Sequence, residues 1–450
     1  MSIETETYSA LDAPEYAPAQ FVRWFRDVAP YVHTMRGKTF VVGFGGDLVQ
    51  EERLNALIQD LSLLTALGVR LVLVFGSLPQ VNEQLRLKGY DFQFDTGMEP
   101  TSAIALECCK EAAGELRLDI EAAFSQGLPN TPMSNAQIHV ISGNFVTAQP
   151  IGVIDGIDYK HTGKVRKFDI TSIHKAISLG AVVLLGPIGF SPTGEAFNIA
   201  MEELATHAAI ALKADKLVFL NQSTVLRDDN GHVITEIARA EAEKILKEKS
   251  IEPHFANLLK HTVKAVRCGV KRAHIIPHNL DGSLLLEYFT HDGIGTMVVE
   301  DTLDDLRPAT MDDIGAILSL IEPLEADGTL VPRGRHIIER DVEKFTVLEH
   351  DGIIYGCVSL IPYTNEQMAE MACLIVHPDW QSAGEGELLL KHTESKARTM
   401  GIKKLFVLTT RTSHWFMNRG FIQGTLDDLP KEKQINYNRS RNSLIFIKNL

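Results

Sequence analysis

Short unbroken apolar runs alternate, through the first two thirds of the chain, with stretches whose apolar residues return every three or four positions. Thr39–Phe44 and Arg70–Phe75 are runs of the first kind, too short for helices and apolar on both faces. Glu51–Leu67 between them is of the second kind and is stopped by Gly68. Strand, helix and strand in that order predict parallel pairing. The alternation continues with a strand at Ile138–Ser142, a helix at Thr171–Leu179, a strand at Ala181–Leu185, a helix at Glu202–Lys213 and a strand at Lys216–Leu220. Residues 21–297 therefore read as a three-layer α/β domain. At its start, Phe21, Val22, Trp24, Phe25 and Val28 form the stripe of an amphipathic helix, Phe21–Tyr31, that needs a partner such as another subunit's surface.

Around residues 298–305 the pattern breaks into a short acidic connector, and 306–450 reads differently. Helices at Met311–Glu322 and Ile337–Phe345 flank a polar loop at Asp327–Gly334. Strands follow at Thr346–Glu349, Ile353–Ile361 and Ala369–His377, then a helix at Gly386–Met400 and a strand at Lys404–Thr409. That order predicts a compact α+β domain of ordinary size.

Composition narrows the classes. In 450 residues, 45% hydrophobic and 23% charged, no apolar tract reaches the length of a membrane span. The net charge is −14, from 44 basic and 58 acidic residues without a basic stripe, which argues against a nucleic-acid partner. Cys108, Cys109, Cys268, Cys357 and Cys373 are odd in number and lack metal-ligand spacing. No metal is expected, and they read as reduced core residues. Residues 1–20 form an acidic, Pro/Ala-rich leader without the basic start and apolar run of a signal peptide, so a cytoplasmic location is expected.

The stretch richest in chemistry is Glu370–Met400. Gly384 and Gly386 open a helix directly after a strand, where several backbone N–H groups can point at one anion. Glycines also mark plain turns, so the spacing by itself leaves both readings open. Glu370 opens the preceding strand and reads either as a base for an ammonium or as a solvated strand-end carboxylate. Thr409 and Thr410, ending the next strand, carry hydroxyls able to protonate a thiolate, or are ordinary strand residues. Arg333 and Arg335, in Leu330–Arg335, and Arg441 near the C-terminus offer planar forks for the carboxylates of a diacid. In Asn418-Arg-Gly420-Phe421 a helix ends on glycine, as a left-handed cap requires.

Gln381–Gly386 resembles the acetyl-CoA motif of the GNAT acetyltransferases, and the strand before it, the helix after it, Leu405–Leu408 and Trp415–Phe421 occur in that family's order. The resemblance implies acetyl-CoA as co-substrate. Its pantetheine would bond along Cys373, Leu374 and Val376 like an added strand, and its diphosphate would lie at Gln381, Gly384, Gly386 and Glu387. The first domain resembles the amino acid kinase fold of the acetylglutamate kinase branch. Val41–Asp47 lacks a lysine beside its glycines, however, and Phe75–Pro79 has one glycine where the kinases carry a run, so phosphoryl transfer is not expected. Lys213–Leu220 and Leu286–Thr296 resemble the arginine-sensitive members of that branch. This implies an effector pocket for L-arginine from Tyr31, Lys216, Glu287, Gly293 and Gly295, together with a hexameric assembly.

Together the two domains resemble the bacterial N-acetylglutamate synthases from about Phe21 to Leu450. That resemblance implies acetyl transfer from acetyl-CoA to the amino group of L-glutamate, the entry step of arginine biosynthesis, with arginine as feedback inhibitor. It also implies Glu370 as base, Thr409 as acid, and Arg333, Arg441 and Ser443 on the glutamate. Two other readings stay open: a bifunctional acetylglutamate synthase and kinase, and a catalytically silent arginine sensor.

Overall fold

Strands apolar on both faces are stable only inside a sheet covered on both sides, and that is where β1 (Thr39–Phe44) and β2 (Arg70–Phe75) lie. The computed structural model describes residues 18–450 apart from 93, 95–98, 127–137, 223–225, 228–230, 232, 249–250, 291–292, 301–303, 351, 382–383, 440 and 442. The leader up to residue 17 thus lies outside the described residues. The chain divides into two units, Met1–Asp301 and Thr302–Leu450.

In the first unit β1 and β2 are joined by β3 (Val140–Ser142), β4 (Val182–Leu185), β5 (Lys216–Asn221), β6 (Glu236–Ala238), β7 (Arg272–Pro277) and β8 (Thr296–Val299) in the order β6-β8-β7-β5-β1-β2-β4-β3. All neighbours pair in parallel except β7 with β8. Helices cover the sheet, among them α1 (Pro18–Met35), α2 (Leu54–Ala66), α3 (Ala103–Gln126), α4 (Met201–Ala211), α5 (Pro253–Arg267) and α6 (Ser283–Phe289). The two apolar runs match their strands residue for residue. The helix expected from Glu51 starts only at Leu54, because the chain first turns through Glu52 at φ 58° after a short helix at Asp47–Gln50. The pattern did not reveal α3, nor a second sheet of four strands formed by Val146–Pro150, Gly163–Phe168, Ile188–Phe190 and Ala196–Asn198.

The second unit is one seven-stranded sheet: β9 (Asp304–Pro308), β10 (Phe345–His350), β11 (Ile353–Tyr363), β12 (Met368–Val376), β13 (Lys404–Thr409), β14 (Ile422–Gln423) and β15 (Leu444–Asn449), in the order β9-β10-β11-β12-β13-β15-β14. β8 and β9 hold both ends of the connector expected at 298–305. Helices α7 (Ile314–Ala326) and α8 (Gly334–Arg340) precede β10, and α9 (Glu385–Thr399), α10 (Ser413–Met417) and α11 (Lys431–Ile435) follow β12, β13 and β14 in turn; α8 is shorter than expected, since buried Phe345 is extended and opens β10. Four of the cysteines are buried, but Cys268 is exposed and is not a core residue. Among the described residues no helix is long and apolar enough to cross a membrane.

One irregularity shapes everything that follows. β12 and β13 are the sheet's parallel neighbours, and their pairing covers only Met368↔Lys404, Ala369↔Leu405 and Glu370↔Phe406 before it stops. Beyond that point β13 stays bonded to β15 as far as Thr409↔Leu444, while β12 follows β11 with a register shift near Cys357 and Ser359. Cys373 sits in this bulged stretch at φ 51°, a left-handed conformation costly for a residue with a side chain. The two strands form a fork with its closed end at Glu370.

Candidate functional site

Glu370 is the last β12 residue paired with β13, and only 3% of it is exposed, so the reading as a solvated carboxylate is set aside. The Lys433 ammonium donates to Glu370 Oε2 at 2.7 Å from α11 (Lys431–Ile435). Leu429, buried with Met368, Phe406 and Ile445, anchors the start of that helix, and Gln434 Nε2 donates to the Leu429 carbonyl at 2.8 Å. A carboxylate so buried keeps its charge only beside a cation or several donors; breaking such a pair on one side typically costs about 3–5 kcal/mol. Tyr363 faces the same charge: burial, then Glu370, push its phenol up to about 12.

Thr409 closes β13, buried, with Oγ1 2.9 Å from Thr412 Oγ1 and accepting the Thr412 amide at 3.2 Å. Thr410 beside it is exposed. Three strand residues, roughly 10 Å, separate the level of Glu370 and Phe406 from Thr409, so the carboxylate stands at the closed end of the fork and the hydroxyl toward its mouth. Burial drives the Cys357 and Cys373 thiols upward, which leaves neither activated as a nucleophile.

The loop 327–334 collects the arginines. Arg441 Nη2 donates to the Thr329 carbonyl, while its buried Nε has no hydrogen-bond partner among the described residues. Arg411, two residues past Thr409, donates to Asp327 Oδ2 at 2.9 Å and holds the same loop. Arg333, its amide fixed by Glu325 Oε1 at 2.8 Å, lies close enough for its charge to act on Tyr363, Cys357 and Cys373. Arg335 is instead 73% exposed and paired with Glu339 at 2.6 Å. Ser443 lines a separate cavity of about 430 Å³, and its carbonyl accepts the Tyr437 hydroxyl at 2.6 Å.

At the mouth of the fork begins α9 (Glu385–Thr399). Its cap, Gly384, has φ 108°, and a Cβ on Gly386 would lie 3.3 Å from the Trp415 ring. Ser382 and Ala383 lie outside the described residues. Trp380 stacks on Tyr355 with ring centroids 4.0 Å apart, and Gln381 Nε2 donates to the Val376 carbonyl at 2.8 Å, so the turn into the helix is pinned. The start of the helix, where the Glu387 and Leu388 amides both donate to the Gly384 carbonyl at 3.0 Å, borders a cavity of about 400 Å³ lined by Leu374, Val376, Gln381, Gly384, Gly386 and Arg419 among others. Cys373 lies outside this lining; its carbonyl accepts the Cys357 thiol at 3.7 Å.

Arg419 is the cradle residue that motif reading passed over. Its guanidinium lies 4.0 Å from the Trp415 ring centroid, Nη1 donates to the Trp415 carbonyl at 3.2 Å and Nη2 to Glu387 Oε2 at 3.2 Å. Its buried Nε has no hydrogen-bond partner among the described residues. Lys391 and Arg419 hold the Glu387 carboxylate below its ordinary range, so that charge is compensated. The one available signal was spacing: an arginine four residues after a tryptophan stacks on it when the segment is helical.

In the first unit a second constellation surrounds Glu287 on α6. Its Oε2 accepts the amides of Ile294 at 2.8 Å and Gly295 at 2.9 Å, and its Oε1 lies 2.7 Å from His274 Nδ1. Burial raises the Glu287 pKa, but the hydrogen bond from His274 and the two amides outweigh it and leave the carboxylate below its ordinary range. Burial holds His274 down despite the same bond. Gly293 and Gly295 are glycines for room: a Cβ would lie 2.7 Å from Glu287 Oε2 and 2.5 Å from the Ile275 carbonyl, respectively. The Lys216 ammonium lies 4.3 Å from the Tyr288 ring centroid, and the partly buried Tyr31 packs against the same core. His274 Nε2 and Tyr288 Oη are buried without hydrogen-bond partners among the described residues, and neither residue was singled out from sequence.

The cavity at the C-terminal ends of β1, β2 and β5, about 540 Å³, bears on the kinase alternative. Among the described residues its lining includes Asp47, Glu202 and Glu252 and no lysine or arginine, which does not suit a nucleotide's phosphates.

Residues 38–277 match the amino acid kinase family and residues 341–423 the GNAT acetyltransferase domain. The amino-acid acetyltransferase of Ralstonia nicotianae is 56% identical over 96% of this chain and 96% of its own length; that of Yersinia enterocolitica is 44% identical over 96% and 99%. The crystal structure of N-acetylglutamate synthase from Neisseria gonorrhoeae complexed with coenzyme A and L-arginine is similar with a TM-score of 0.85 at 36% identity, covering 96% of this chain and 99% of that one. The same protein complexed with coenzyme A and N-acetyl-glutamate gives 0.60 at 37% identity over the same shares. Matched along nearly its whole length, in both halves and in their order, the chain belongs to the amino-acid acetyltransferases of the N-acetylglutamate synthase family.

Proposed function

We propose that the chain transfers the acetyl group of acetyl-CoA to the amino group of L-glutamate, giving N-acetylglutamate and CoA at the entry to arginine biosynthesis, and that L-arginine inhibits it. The observation that carries the reading is the fork itself. A buried ionisable base stands at its closed end, and a helix N-terminus with an inward arginine stands at its mouth. Between them Met371–Val376 runs for just under about 20 Å along β12, a length suited to an extended pantetheine arm bonded as an extra strand. Cys373, Leu374 and Val376 supply that backbone. The diphosphate lies against the helix start, at Gln381, Gly384, Gly386 and Glu387, with Arg419 adding a charge-assisted bond.

Glu370 takes the proton of the substrate ammonium, directly or through a water, and the freed amine attacks the thioester carbonyl. Thr409, whose oxygen accepts a backbone amide, has its own proton to hand to the departing thiolate. Arg333 and Arg441 bind the two carboxylates of glutamate, the unpartnered Nε of Arg441 being a donor without an acceptor, and Ser443 completes that side. In the regulatory domain, residues 21–297, arginine would lie at Glu287 with Tyr31, Lys216, Gly293 and Gly295. The apolar α1 face with exposed Val22, Trp24 and Phe25 suits contacts within a hexamer. Residues 298–305 then serve as the connector to the catalytic domain, 306–450, and the enzyme works in the cytoplasm.

Thiol release from acetyl-CoA, followed across a panel of amino acids with and without arginine, tests the reading: glutamate is expected to support turnover and arginine to suppress it. No glutamate-dependent release would end it in favour of the silent sensor. For the cradle, Arg419→Gln is expected to raise KM for acetyl-CoA about 10-fold or more with little change in kcat, the signature of lost uniform binding of a phosphate. A KM within about twofold of the parent, measured by initial rates, would remove Arg419 from the phosphate site.

A further inference from the structure

The ion pair between Lys433 and Glu370 joins two residues 63 positions apart, and only Glu370 has a part in the chemistry described above. The Lys433 side chain is 23% exposed against 4% for Glu370, so its charge acts from the rim on a carboxylate sealed inside. Its backbone is not free to swing. Leu429 is buried with Met368 and Phe406, next to Glu370 and its β13 partner, and Gln434 Nε2 also donates to the Asp427 carbonyl at 3.2 Å. Further along, the Tyr437 hydroxyl ties the segment to Ser443 beside β15. A five-residue helix is fastened at both ends, and one side chain passes from it to the base.

We infer that Lys433 is a positioning residue for the reaction: it keeps Glu370 ionised and turned toward the fork before the substrate arrives. This rests on the reading of Glu370 as the base. The groups acting with Glu370 are Lys433 from α11, Tyr363 from β11 and Cys373 on β12 itself; Arg333 from the loop before α8 also acts on both Tyr363 and Cys373, Glu432 of α11 and Glu366 on Tyr363, and Glu325 of α7 on Cys373. Tyr363 and Cys373 are held neutral by burial, and Lys433 is the cation in direct contact. The substrate binds with its own ammonium, which must give up a proton. A base that were itself protonated in the empty enzyme could not take it, and burial alone favours that protonated state.

The test is the pH dependence of kcat/KM for glutamate, which reports groups of the free enzyme, where the pair is formed. Lys433→Met keeps the length of the side chain and removes its charge. The acidic limb is expected to move up by about one pH unit or more, with kcat/KM on the acid side of the limb reduced about 10-fold or more and regained above it. Lys433→Arg is expected to leave the limb near its parent position. Retained acetyl-CoA binding certifies the fold. If Lys433→Met fails that check, Lys433→Gln, which keeps one donor without charge, takes its place. A limb that stays put, whether or not the rate falls, overturns the proposal, since a merely structural role lowers activity at every pH alike. Glu370→Gln separates the two failures: if that variant retains activity, the base assignment has fallen and the positioning role with it. If it is inactive while Lys433→Met leaves the limb in place, only the role of Lys433 has fallen.

Discussion

Glutamine in place of Glu370 is expected to lower kcat by about 10²–10⁴-fold while acetyl-CoA binding stays within a few fold of the parent. The substitution keeps the shape of a side chain that is 4% exposed, so neither a cavity nor a clash accompanies it. What it removes is the capacity to accept a proton. Lys433 loses an anionic partner, but with 23% of its side chain exposed it can be solvated from the rim, and the fold is not left with a sealed unpaired charge. The cradle lies at the other end of the fork, on α9 and around Arg419, and shares no hydrogen bond with Glu370. Turnover measured beside calorimetric acetyl-CoA affinity checks this split. A kcat within about tenfold of the parent would show that the ammonium loses its proton to solvent or to another group.

Apolar periodicity revealed β1 and β2 to the residue because both lie in the middle of a parallel sheet, where burial on two faces leaves a continuous signal. It missed α3, whose apolar residues face partners unevenly along 24 positions, and the second sheet, whose short strands carry lysines and glutamines on their outer faces. The site divides along a similar line. Gly384 and Gly386 were legible since their conformation and clearance demand glycine, and Glu370 because it opens the strand leading to them. Lys433 and Arg411 were not, since each acts across the fold: 63 residues separate Lys433 from Glu370, and 84 separate Arg411 from Asp327. No local pattern records such a pairing. His274 and Tyr288 were hidden differently, one as a histidine inside an apolar strand and the other as an aromatic on a short helix, ordinary until their polar atoms proved buried without partners.

Glu287→Ala is expected to raise the arginine concentration needed for half inhibition by at least about 30-fold, the loss of a charge-assisted contact of a guanidinium with a desolvated carboxylate. The geometry explains why one residue should matter so much. A carboxylate offers about four acceptor positions; the Ile294 and Gly295 amides take two on Oε2 and His274 takes one on Oε1, so about one remains for a ligand. Those three donors fix the carboxylate's direction before any ligand arrives, and their combined effect keeps it charged in spite of burial. The unpartnered His274 Nε2 and Tyr288 Oη lie beside it, His274 and Tyr288 having ring centroids 5.6 Å apart, and Lys216 stands over the tyrosine as a cation for the effector's carboxylate. Alanine also strands the two amides and the imidazole, so some loss of folded protein accompanies the change. The readout is therefore the ratio of turnover with and without arginine, which cancels the amount of active enzyme. If that ratio falls along the parent's dose curve, arginine acts elsewhere on the chain; if the curve shifts, the coupling between effector and fork runs through the carboxylate that α6 holds in place.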